Sequence, residues 1–345
     1  NPVFLHGAVC RGRLAPHLPV VWTFGRGEEV MIFLWIVLAL VILALAVSYL
    51  AFRIACVRGH EYPWEDDAQM QKKIGASYAA LVKGGVDWLR QQRPRDLYLT
   101  SYDGLRLHAR WVPADCPRGT VILFHGWRSS IVGDFSPSMP VYHDLGFNLL
   151  LVDQRAQNGS AGRYITFGVR ESRDVRPWVE LHNREFGPEP VFLGGVSMGA
   201  TTVLMAAGGP LPENVRGIMA DCGFSSPWEI MAAVAKHRAH LPAFPMLYLV
   251  NFWCRLLAGF DGKEGSTVQA MARNRLPVFF AHGQADNFVP WAMTQAAYDA
   301  ADCEKELLLV PGAGHGRSYL VDQERYLQML ERFLNRNLPA NAIPR

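Results

Sequence analysis

The chain has 345 residues, of which half are apolar, so it can bury one large core together with smaller additions. Its formal net charge is only +3 and no run interleaves basic with aromatic residues, which excludes nucleic acid as an expected partner. The six cysteines are scattered without a Cys-x-x-Cys pair, so neither a disulfide framework nor a zinc site is indicated, and a reducing compartment is favoured.

Residues 1–30 show no hydrophobic periodicity and contain several prolines and glycines. The segment Glu28-Glu29-Val30 stands directly before Met31, and codons for these residues can spell a purine-rich ribosome-binding sequence. We therefore expect synthesis to start at Met31 and residues 1–30 to be a disordered or mistranslated leader. Peptide mass spectrometry of the native protein tests this expectation.

The run Met31–Phe52 is apolar and uncharged. About 20 such residues cross the hydrocarbon core of a bilayer as a helix. A buried core helix would be shorter and would show a polar face, and a signal peptide would begin with basic residues. We predict an uncleaved transmembrane anchor, which makes the lipid bilayer a partner. Arg53 and Arg58 follow the run, and with a start at Met31 no basic residue precedes it, so the positive-inside rule favours the cytoplasmic face for the domain that follows; if residues 1–30 are present, their arginines blur this signal.

Residues 53–96 have apolar side chains at helical spacing, which predicts a juxtamembrane helical linker. Eight strand-like runs follow, and helical stretches separate the later ones. This alternation predicts a mostly parallel sheet covered by helices on both faces, with a domain over 97–338 and a tail over 339–345. The predicted strands are Leu97–Thr100, Leu105–Val112, Thr120–Phe124, Phe147–Val152, Val191–Gly194, Val215–Asp221, Val278–Ala281 and Leu307–Val310, and the closing helix is Tyr319–Asn335.

The most informative motif is Gly195-Val196-Ser197-Met198-Gly199, which lies between a buried strand and a helix. This is the layout of a nucleophile elbow, a tight strand-to-helix turn that projects one serine into a cleft. The two glycines allow the arms of such a turn to approach while Ser197 takes a strained conformation. Ser197 is therefore the candidate nucleophile.

A serine hydroxyl needs a base, and the base needs an acid that orients it. Asp286 and His315 follow Ser197 in the chain, and each lies in a turn just past an apolar strand-like run. Because ligands bind at the carboxyl edge of an open α/β sheet, we expect the three side chains to meet there. Asp221 also follows a strand and is the alternative acid.

The candidate oxyanion hole consists of two backbone N–H groups. Met198 directly follows the nucleophile, and Trp127 follows the turn His125-Gly126 at the end of the third strand. We expect His125 to brace this loop rather than to act as a second base.

The segment from about Leu97 to Leu338 resembles the α/β-hydrolase superfamily, in particular the branch of bacterial serine esterases and acyl-aminoacyl-peptidase-like proteins. The elbow, the His-Gly turn, the acid loop and the Gly-His loop carry the resemblance, together with Asp153–Ser160, which is similar to the family's loop after the fourth strand. In that loop Gln157-Asn158 stands where relatives often have a single histidine. We expect Asp153 and Arg155 to form a structural ion pair.

The resemblance implies an α/β-hydrolase fold with an eight-stranded sheet and a helical cap insertion, here at about 224–275, which is rich in bulky apolar residues. Such a cap is expected to shape the acyl pocket. The implied activity is hydrolysis of carboxylic esters of hydrophobic acyl or aryl groups through an acyl-enzyme, with no metal or organic cofactor. The alternatives are a serine peptidase or aminopeptidase, a lysophospholipase or thioesterase, and a non-catalytic anchored binding module. The oligomeric state is left open.

Overall fold

The computed structural model describes residues 26–59, 76–238 and 244–340. The chain divides into two compact units, residues 1–45 and residues 46–345. Residues 1–25 of the expected leader and residues 341–345 of the expected tail lie outside the described residues, whereas residues 26–30 are helical.

The first helix, α1, is Arg26–Cys56 and extends the predicted span 31–52 at both ends. Its part Gly27–Cys56 has a mean hydropathy of 3.2 in its most apolar window, none of which is buried. By length and composition this is a helix that can cross a membrane, and an N-terminal signal sequence shares both properties. Because none of this window is buried, it does not form the buried core helix that we considered as an alternative from the sequence.

Eight strands form one sheet in the order β1-β2-β4-β3-β5-β6-β7-β8. The pairs β1–β2 and β2–β4 are antiparallel, and all the other pairs are parallel. The predicted number of strands and the mostly parallel sheet are confirmed. The strands are β1 Arg95–Thr100, β2 Arg106–Val112, β3 Gly119–Phe124, β4 Phe147–Asp153, β5 Val191–Val196, β6 Val215–Asp221, β7 Val278–Gly283 and β8 Lys305–Val310.

Helices cover both faces of the sheet, and each face has its own apolar core. The helices after α1 are α2 Ala76–Gln92, α3 Ile131–Phe135, α4 Met139–Asp144, α5 Glu171–Phe186, α6 Met198–Ala207, α7 Pro227–His237, α8 Met246–Trp253, a π-helical segment Cys254–Ala258, α9 Thr267–Arg273, α10 Ala292–Ala300, α11 Ser318–Val321 and α12 Gln323–Asn337. One core contains side chains of α5, α6, α9 and α10, and the other contains side chains of α2, α3, α4 and α12.

Two predicted helical boundaries need correction. The closing helix is divided into α11 and α12, because the Asp322 side chain accepts a hydrogen bond from the Arg325 N–H and caps a new helix. We expected the whole insertion 224–275 to form a cap. Its last helix, α9, instead packs against α6 and α10 and belongs to the helical layer that covers the sheet, so the cap is shorter than expected.

The end of α1 is part of the compact unit that contains the sheet. Ser48, Phe52 and Cys56 lie four residues apart on one side of the helix and are buried, and Phe52 and Cys56 belong to a third apolar cluster together with residues of the cap. Residues 53–56, which we predicted to begin a linker, therefore complete α1 and pack on the domain. At the other end of that predicted linker, residues 95–96 already belong to β1.

The expected ion pair between Asp153 and Arg155 is wrong. Arg155 Nε donates to Asp174 Oδ2 at 2.6 Å, and Arg155 Nη1 donates to Asp103 Oδ2 at 2.8 Å. Asp153 accepts instead from His108 Nδ1 at 2.7 Å. The strand ends at Asp153, so the side chain two residues further along leaves the sheet and reaches α5.

Candidate active site

Ser197 occupies a sharp turn between β5 and α6. Its backbone has φ 55° and ψ −117°, a strained conformation for a residue with a side chain. The flanking glycines make the turn sterically possible: a Cβ on Gly195 would lie 2.3 Å from the carbonyl carbon of Gly199, and a Cβ on Gly199 would lie 1.8 Å from the Phe124 oxygen. The motif Gly-x-Ser-x-Gly therefore presents the serine at the carboxyl end of β5.

The structure brings together the three side chains that the sequence singled out. His315 Nε2 lies 2.9 Å from Ser197 Oγ, and His315 Nδ1 lies 2.6 Å from Asp286 Oδ2. Because a carboxylate only accepts, Nδ1 carries the proton and Nε2 is free to accept from the serine hydroxyl. The Asp286 side chain is fully buried, whereas that of His315 is 26% exposed. The imidazole is thus open to a substrate, whereas the carboxylate is not.

Four donors surround the Asp286 carboxylate. Besides His315, the N–H groups of Phe288 and Val289 donate to Oδ1 at 2.8 and 2.9 Å, and His282 Nε2 lies 3.2 Å from Oδ2. Burial by itself raises the pKa of Asp286, but the hydrogen bonds from the two histidines, the charge of His315 and the Val289 N–H together hold that pKa well below its usual range. The carboxylate is therefore ionised throughout the neutral range.

His282 is a site residue that the sequence reasoning missed. Its imidazole is buried, with Nδ1 2.7 Å from the Thr294 hydroxyl and Nε2 3.0 Å from the Val289 carbonyl oxygen as well as close to Asp286. These contacts fix the loop that carries the acid. Its position four residues before Asp286 at the end of β7 is the only local signal for this role.

The alternative acid, Asp221, has a different partner. Its Oδ1 accepts from the Ser318 hydroxyl at 2.8 Å, and its backbone oxygen accepts from the Ser197 N–H at 2.8 Å. Burial raises the pKa of Asp221, opposed by the hydrogen bond from Ser318. Asp286, not Asp221, therefore orients the imidazole in this structure.

The loop after β3 passes over the nucleophile. A Cβ on Gly126 would lie 3.2 Å from the Cβ of Ser197, so the backbone of this loop is within reach of a bound carbonyl group. Among the described residues, neither the Trp127 N–H nor the Met198 N–H has a hydrogen-bond acceptor. Both N–H groups that we predicted for an oxyanion hole thus lack another acceptor among the described residues.

Asp134 holds this loop in place, and the sequence reasoning missed it as well. Its Oδ2 accepts from the Gly126 N–H at 2.6 Å, and its Oδ1 accepts from the Ser129 hydroxyl at 2.7 Å. The carboxylate thereby bridges the residues on either side of Trp127. Asp134 lies in α3, and nothing in the local sequence indicates that it turns back towards the loop.

The same loop is tied to the end of α1. Trp127 Nε1 donates to the Ala55 oxygen at 2.8 Å, and Arg128 Nη2 donates to the Val57 oxygen at 2.7 Å. Helix α1 therefore ends against the loop that carries a candidate oxyanion donor.

His125 lies at the base of this loop and is fully buried. Its Nδ1 lies 2.8 Å from the Gly126 oxygen, and its Nε2 accepts from the Gln154 N–H at 3.1 Å. The Gln154 side-chain amide in turn donates to the His125 backbone oxygen. These bonds give His125 the bracing contacts that we expected.

A cavity of about 480 Å³ opens beside Ser197 and His315. Its other walls include the apolar side chains of Val82, Phe135 and Leu320, and its volume is that of a site for a small molecule. None of the described residues that line this cavity belongs to 224–275, so the described part of the insertion does not shape it as we expected, whereas helices α2, α3 and α11 contribute to its wall; residues 239–243 of the insertion lie outside the described residues.

One group of potential metal ligands occurs among the described residues, and it belongs to this site. Donor atoms of Cys222, Asp286 and His315 lie within 4.8 Å of one another. Asp286 and His315 are already bonded to each other, and burial raises the pKa of the Cys222 thiol well above its usual value, which disfavours the thiolate that a metal requires. The arrangement suits proton transfer from a serine better than metal binding.

Comparison with known proteins agrees with this architecture. The Bacillus subtilis protein YqkD is 28% identical over 224 residues, which cover 65% of this chain and 73% of YqkD. The Escherichia coli K12 protein YfhR is 26% identical over 224 residues, which cover 63% of this chain and 71% of YfhR.

Two solved structures show the same fold. The Pyrococcus furiosus esterase Pf2001 superposes with a TM-score of 0.59 at 24% identity, over 71% of this chain and 92% of the esterase. The Pyrococcus horikoshii acylaminoacyl peptidase superposes with a TM-score of 0.56 at 17% identity, over 71% of this chain and 41% of the peptidase. The sequence model of the alpha/beta hydrolase family matches residues 121–329, which include Ser197, Asp286 and His315, and the chain therefore belongs to that family.

Proposed function

We propose that the protein is a membrane-anchored serine hydrolase that cleaves carboxylic esters of hydrophobic acyl or aryl groups. The observation that carries this proposal is the continuous hydrogen-bonded chain from Asp286 through His315 to the hydroxyl of Ser197. A buried carboxylate, an oriented imidazole and a strained, accessible serine are the parts that acyl transfer requires.

In the first half-reaction, His315 Nε2 accepts the hydroxyl proton while Ser197 Oγ attacks the ester carbonyl carbon. The tetrahedral oxyanion is held by the N–H groups of Trp127 and Met198, each of which is expected to contribute on the order of 3 kcal/mol. When the C–O bond to the alcohol breaks, His315 returns the proton to the leaving oxygen. The products are the alcohol and a Ser197 acyl ester.

In the second half-reaction, water attacks the acyl ester and His315 accepts a proton from it. The acid is released and the proton returns to Ser197 Oγ, so the enzyme is regenerated. Asp286 stays ionised throughout, in keeping with the lowered pKa of its carboxyl group, and it stabilises the imidazolium form of His315.

The esterase assignment is supported by the family membership and by the apolar side chains of the cavity wall, which lie beside charged ones such as Arg128, Asp134 and Arg317. A serine peptidase is the second candidate, since an acylaminoacyl peptidase shares the fold and amide hydrolysis would use the same groups. A lysophospholipase or thioesterase differs only in the substrate that the cavity admits.

The membrane anchor is helix α1, proposed from its length and hydropathy. Arg53 and Arg58 at its end support a hydrolase domain on the cytoplasmic face under the positive-inside rule. Alkaline carbonate extraction of membranes and protease protection in spheroplasts test both points. We expect the full-length protein to stay with the membrane and to be protected until the membrane is opened.

Labelling of the full-length protein with a fluorophosphonate probe tests the nucleophile. We expect covalent labelling that Ser197→Ala abolishes and that the matched control Ser172→Ala, on α5, leaves unchanged. An intact, folded protein that does not label would leave the non-catalytic binding module as the better reading. A series of p-nitrophenyl esters of increasing acyl length, run beside aminoacyl amides, then separates esterase from peptidase.

A further inference from the structure

The outward face of the cap helix α8 is apolar. Leu247, Val250 and Cys254 point inward and are buried. On the opposite side, Tyr248, Phe252 and Leu256 follow each other at helical spacing and are 52%, 48% and 60% exposed. A helix on the surface of a soluble domain carries polar residues on that side, so a face of this kind needs an apolar environment.

The end of α1 shows the same arrangement. While Ser48, Phe52 and Cys56 are buried, Leu50 and Ile54 on its outer side are each 57% exposed. In residues 46–56, therefore, one side of α1 packs on the domain and the other presents apolar side chains to the surroundings.

The two helices contact each other at two levels. Trp253 Nε1 donates to Ser48 Oγ at 3.1 Å, and the Trp253 ring packs edge-on against Tyr49 with centroids 5.2 Å apart. Further along, the sulfur atoms of Cys56 and Cys254 are 3.8 Å apart. The two helices therefore lie side by side, and each presents an apolar outer surface.

We propose that these two surfaces, which together we call the lipid-facing platform (Leu50, Ile54, Tyr248, Phe252 and Leu256), are immersed in the interfacial layer of the same bilayer that α1 crosses. The inference rests on the proposed anchor and adds a second membrane contact, made by the cap. Its occupant is lipid, because Leu50 and Ile54 belong to the helix whose length and hydropathy suit a membrane, and α8 contacts the same helix at Ser48, Tyr49 and Cys56.

The length of α1 leaves part of the helix outside the hydrocarbon core. The stretch Gly27–Cys56 has 30 residues and is about 45 Å long at ~1.5 Å per residue, whereas the hydrocarbon core is only ~30 Å thick. About ten residues must therefore lie in the headgroup layers. The described contacts of Tyr49 and Ser48 with Trp253 put α8 beside that end of the helix.

The length of the cap segment fits a helix that lies along the surface. It has eight α-helical and five π-helical residues, too few to cross a bilayer. An amphipathic segment of this size, with one face on protein and one on lipid, is typical of an interfacial helix.

The rim of the platform has the residues of a membrane interface. The ammonium group of Lys263 lies 4.3 Å from the ring centre of Trp228 and 5.0 Å from that of Tyr248. Arg53 and Arg255 are also exposed beside the apolar side chains. Tyrosine, tryptophan and basic side chains concentrate where hydrocarbon meets headgroups, and basic groups favour anionic lipid.

Site-specific photocrosslinking of the full-length protein in its native membrane tests this proposal. p-Benzoylphenylalanine replaces Phe252 or Leu256 as test positions, Leu40 inside the proposed span as a positive control, and Val321 as a negative control. Val321 is 42% exposed on α11, which packs against β7, β8 and α12. After irradiation, intact-mass analysis detects phospholipid adducts, and melting temperatures equal to that of the wild type show that each variant is folded.

We expect lipid adducts at Phe252 and Leu256 at a yield within about threefold of that at Leu40, and at least tenfold above that at Val321. Adducts at Leu40 with none at the two cap positions would overturn the platform while leaving the anchor intact. No adduct at Leu40 would instead refute the anchor on which the platform depends. Crosslinks from Phe252 to a second copy of the protein in place of lipid would also overturn it.

Discussion

The loop that carries Trp127 depends on one carboxylate, and replacing Asp134 with alanine should slow catalysis without abolishing substrate binding. The substitution removes the acceptor for the Gly126 N–H at 2.6 Å and for the Ser129 hydroxyl at 2.7 Å. Released from both, the backbone of the loop is free to move away from the position that holds the Trp127 N–H over Ser197.

The expected loss has an upper and a lower limit. Complete loss of one oxyanion donor lowers kcat by about 10²–10³-fold. Loss of one hydrogen bond to a charged acceptor, about 1.5–3 kcal/mol, corresponds to roughly 10- to 150-fold if it is expressed only in the transition state. We therefore expect Asp134→Ala to lower kcat by about 10- to 100-fold with little change in KM, since the oxyanion exists only in the transition state.

Asp134→Asn is the matched control. The amide oxygen still accepts from the Gly126 N–H, and the amide nitrogen donates to the Ser129 hydroxyl, which can act as an acceptor. We expect this variant to stay within about fivefold of the wild type, because two neutral hydrogen bonds replace two charged ones. Steady-state kinetics on a p-nitrophenyl ester give kcat and KM for both variants. The melting temperature shows whether each variant is folded. Wild-type kcat in Asp134→Ala, or an equal loss in both variants, would refute the positioning role.

Three further predictions concern the neighbouring groups. Asp286→Asn should lower kcat by about 10⁴-fold through loss of the acceptor that orients His315, whereas Asp221→Asn should cost less than about tenfold, as measured by ester hydrolysis. Trp127→Phe deletes the indole N–H bond to α1 and should lower the free energy of unfolding by about 1 kcal/mol in denaturant titrations in detergent. Burial lowers the pKa of His108, but its two aspartate partners outweigh burial and raise that pKa, so the stability that His108 adds is complete below pH ~6.5 and is lost as the pH rises through the raised value. The melting temperature should therefore fall more steeply from pH 6 to 8 in the wild type than in His108→Gln.

Each of these predictions has an opposing result. Equal losses in Asp286→Asn and Asp221→Asn would mean that the acid is shared or misassigned. An unfolding curve of Trp127→Phe that superposes on that of the wild type would show that the bond to the end of α1 adds nothing to stability. Parallel pH profiles for the wild type and His108→Gln would remove His108 as the titrating group.

Much of the architecture and of the candidate site could be predicted from the sequence because the signals are local. A parallel strand buried on both faces is a short continuous apolar run, so the central strands could be recognised, and the boundaries of all eight predicted strands differ by at most two residues from those observed. The turn at Ser197 needs glycine on both sides for steric reasons, and this requirement is visible as a motif. The positions of Asp286 and His315 follow from the rule that loops after parallel strands share one edge of the sheet.

Other features were settled only when distant segments packed together. The role of Asp134 depends on how α3 turns back towards the loop after β3, and the partner of Arg155 depends on where α5 begins. The spacing along the chain between Asp134 and that loop, or between Arg155 and α5, does not indicate a contact, because a side chain's hydrogen-bond partners are set by three-dimensional proximity.

The sequence by itself determined an apolar helix, an α/β domain and a set of three candidate side chains. The tertiary structure alone decided that the last turns of that helix are part of the domain, with Phe52 and Cys56 in its core and the Ala55 carbonyl bonded to Trp127. It also decided that the outer face of α8 stays exposed. Hydropathy records which residues avoid water, but only the packed chain shows whether protein already covers them.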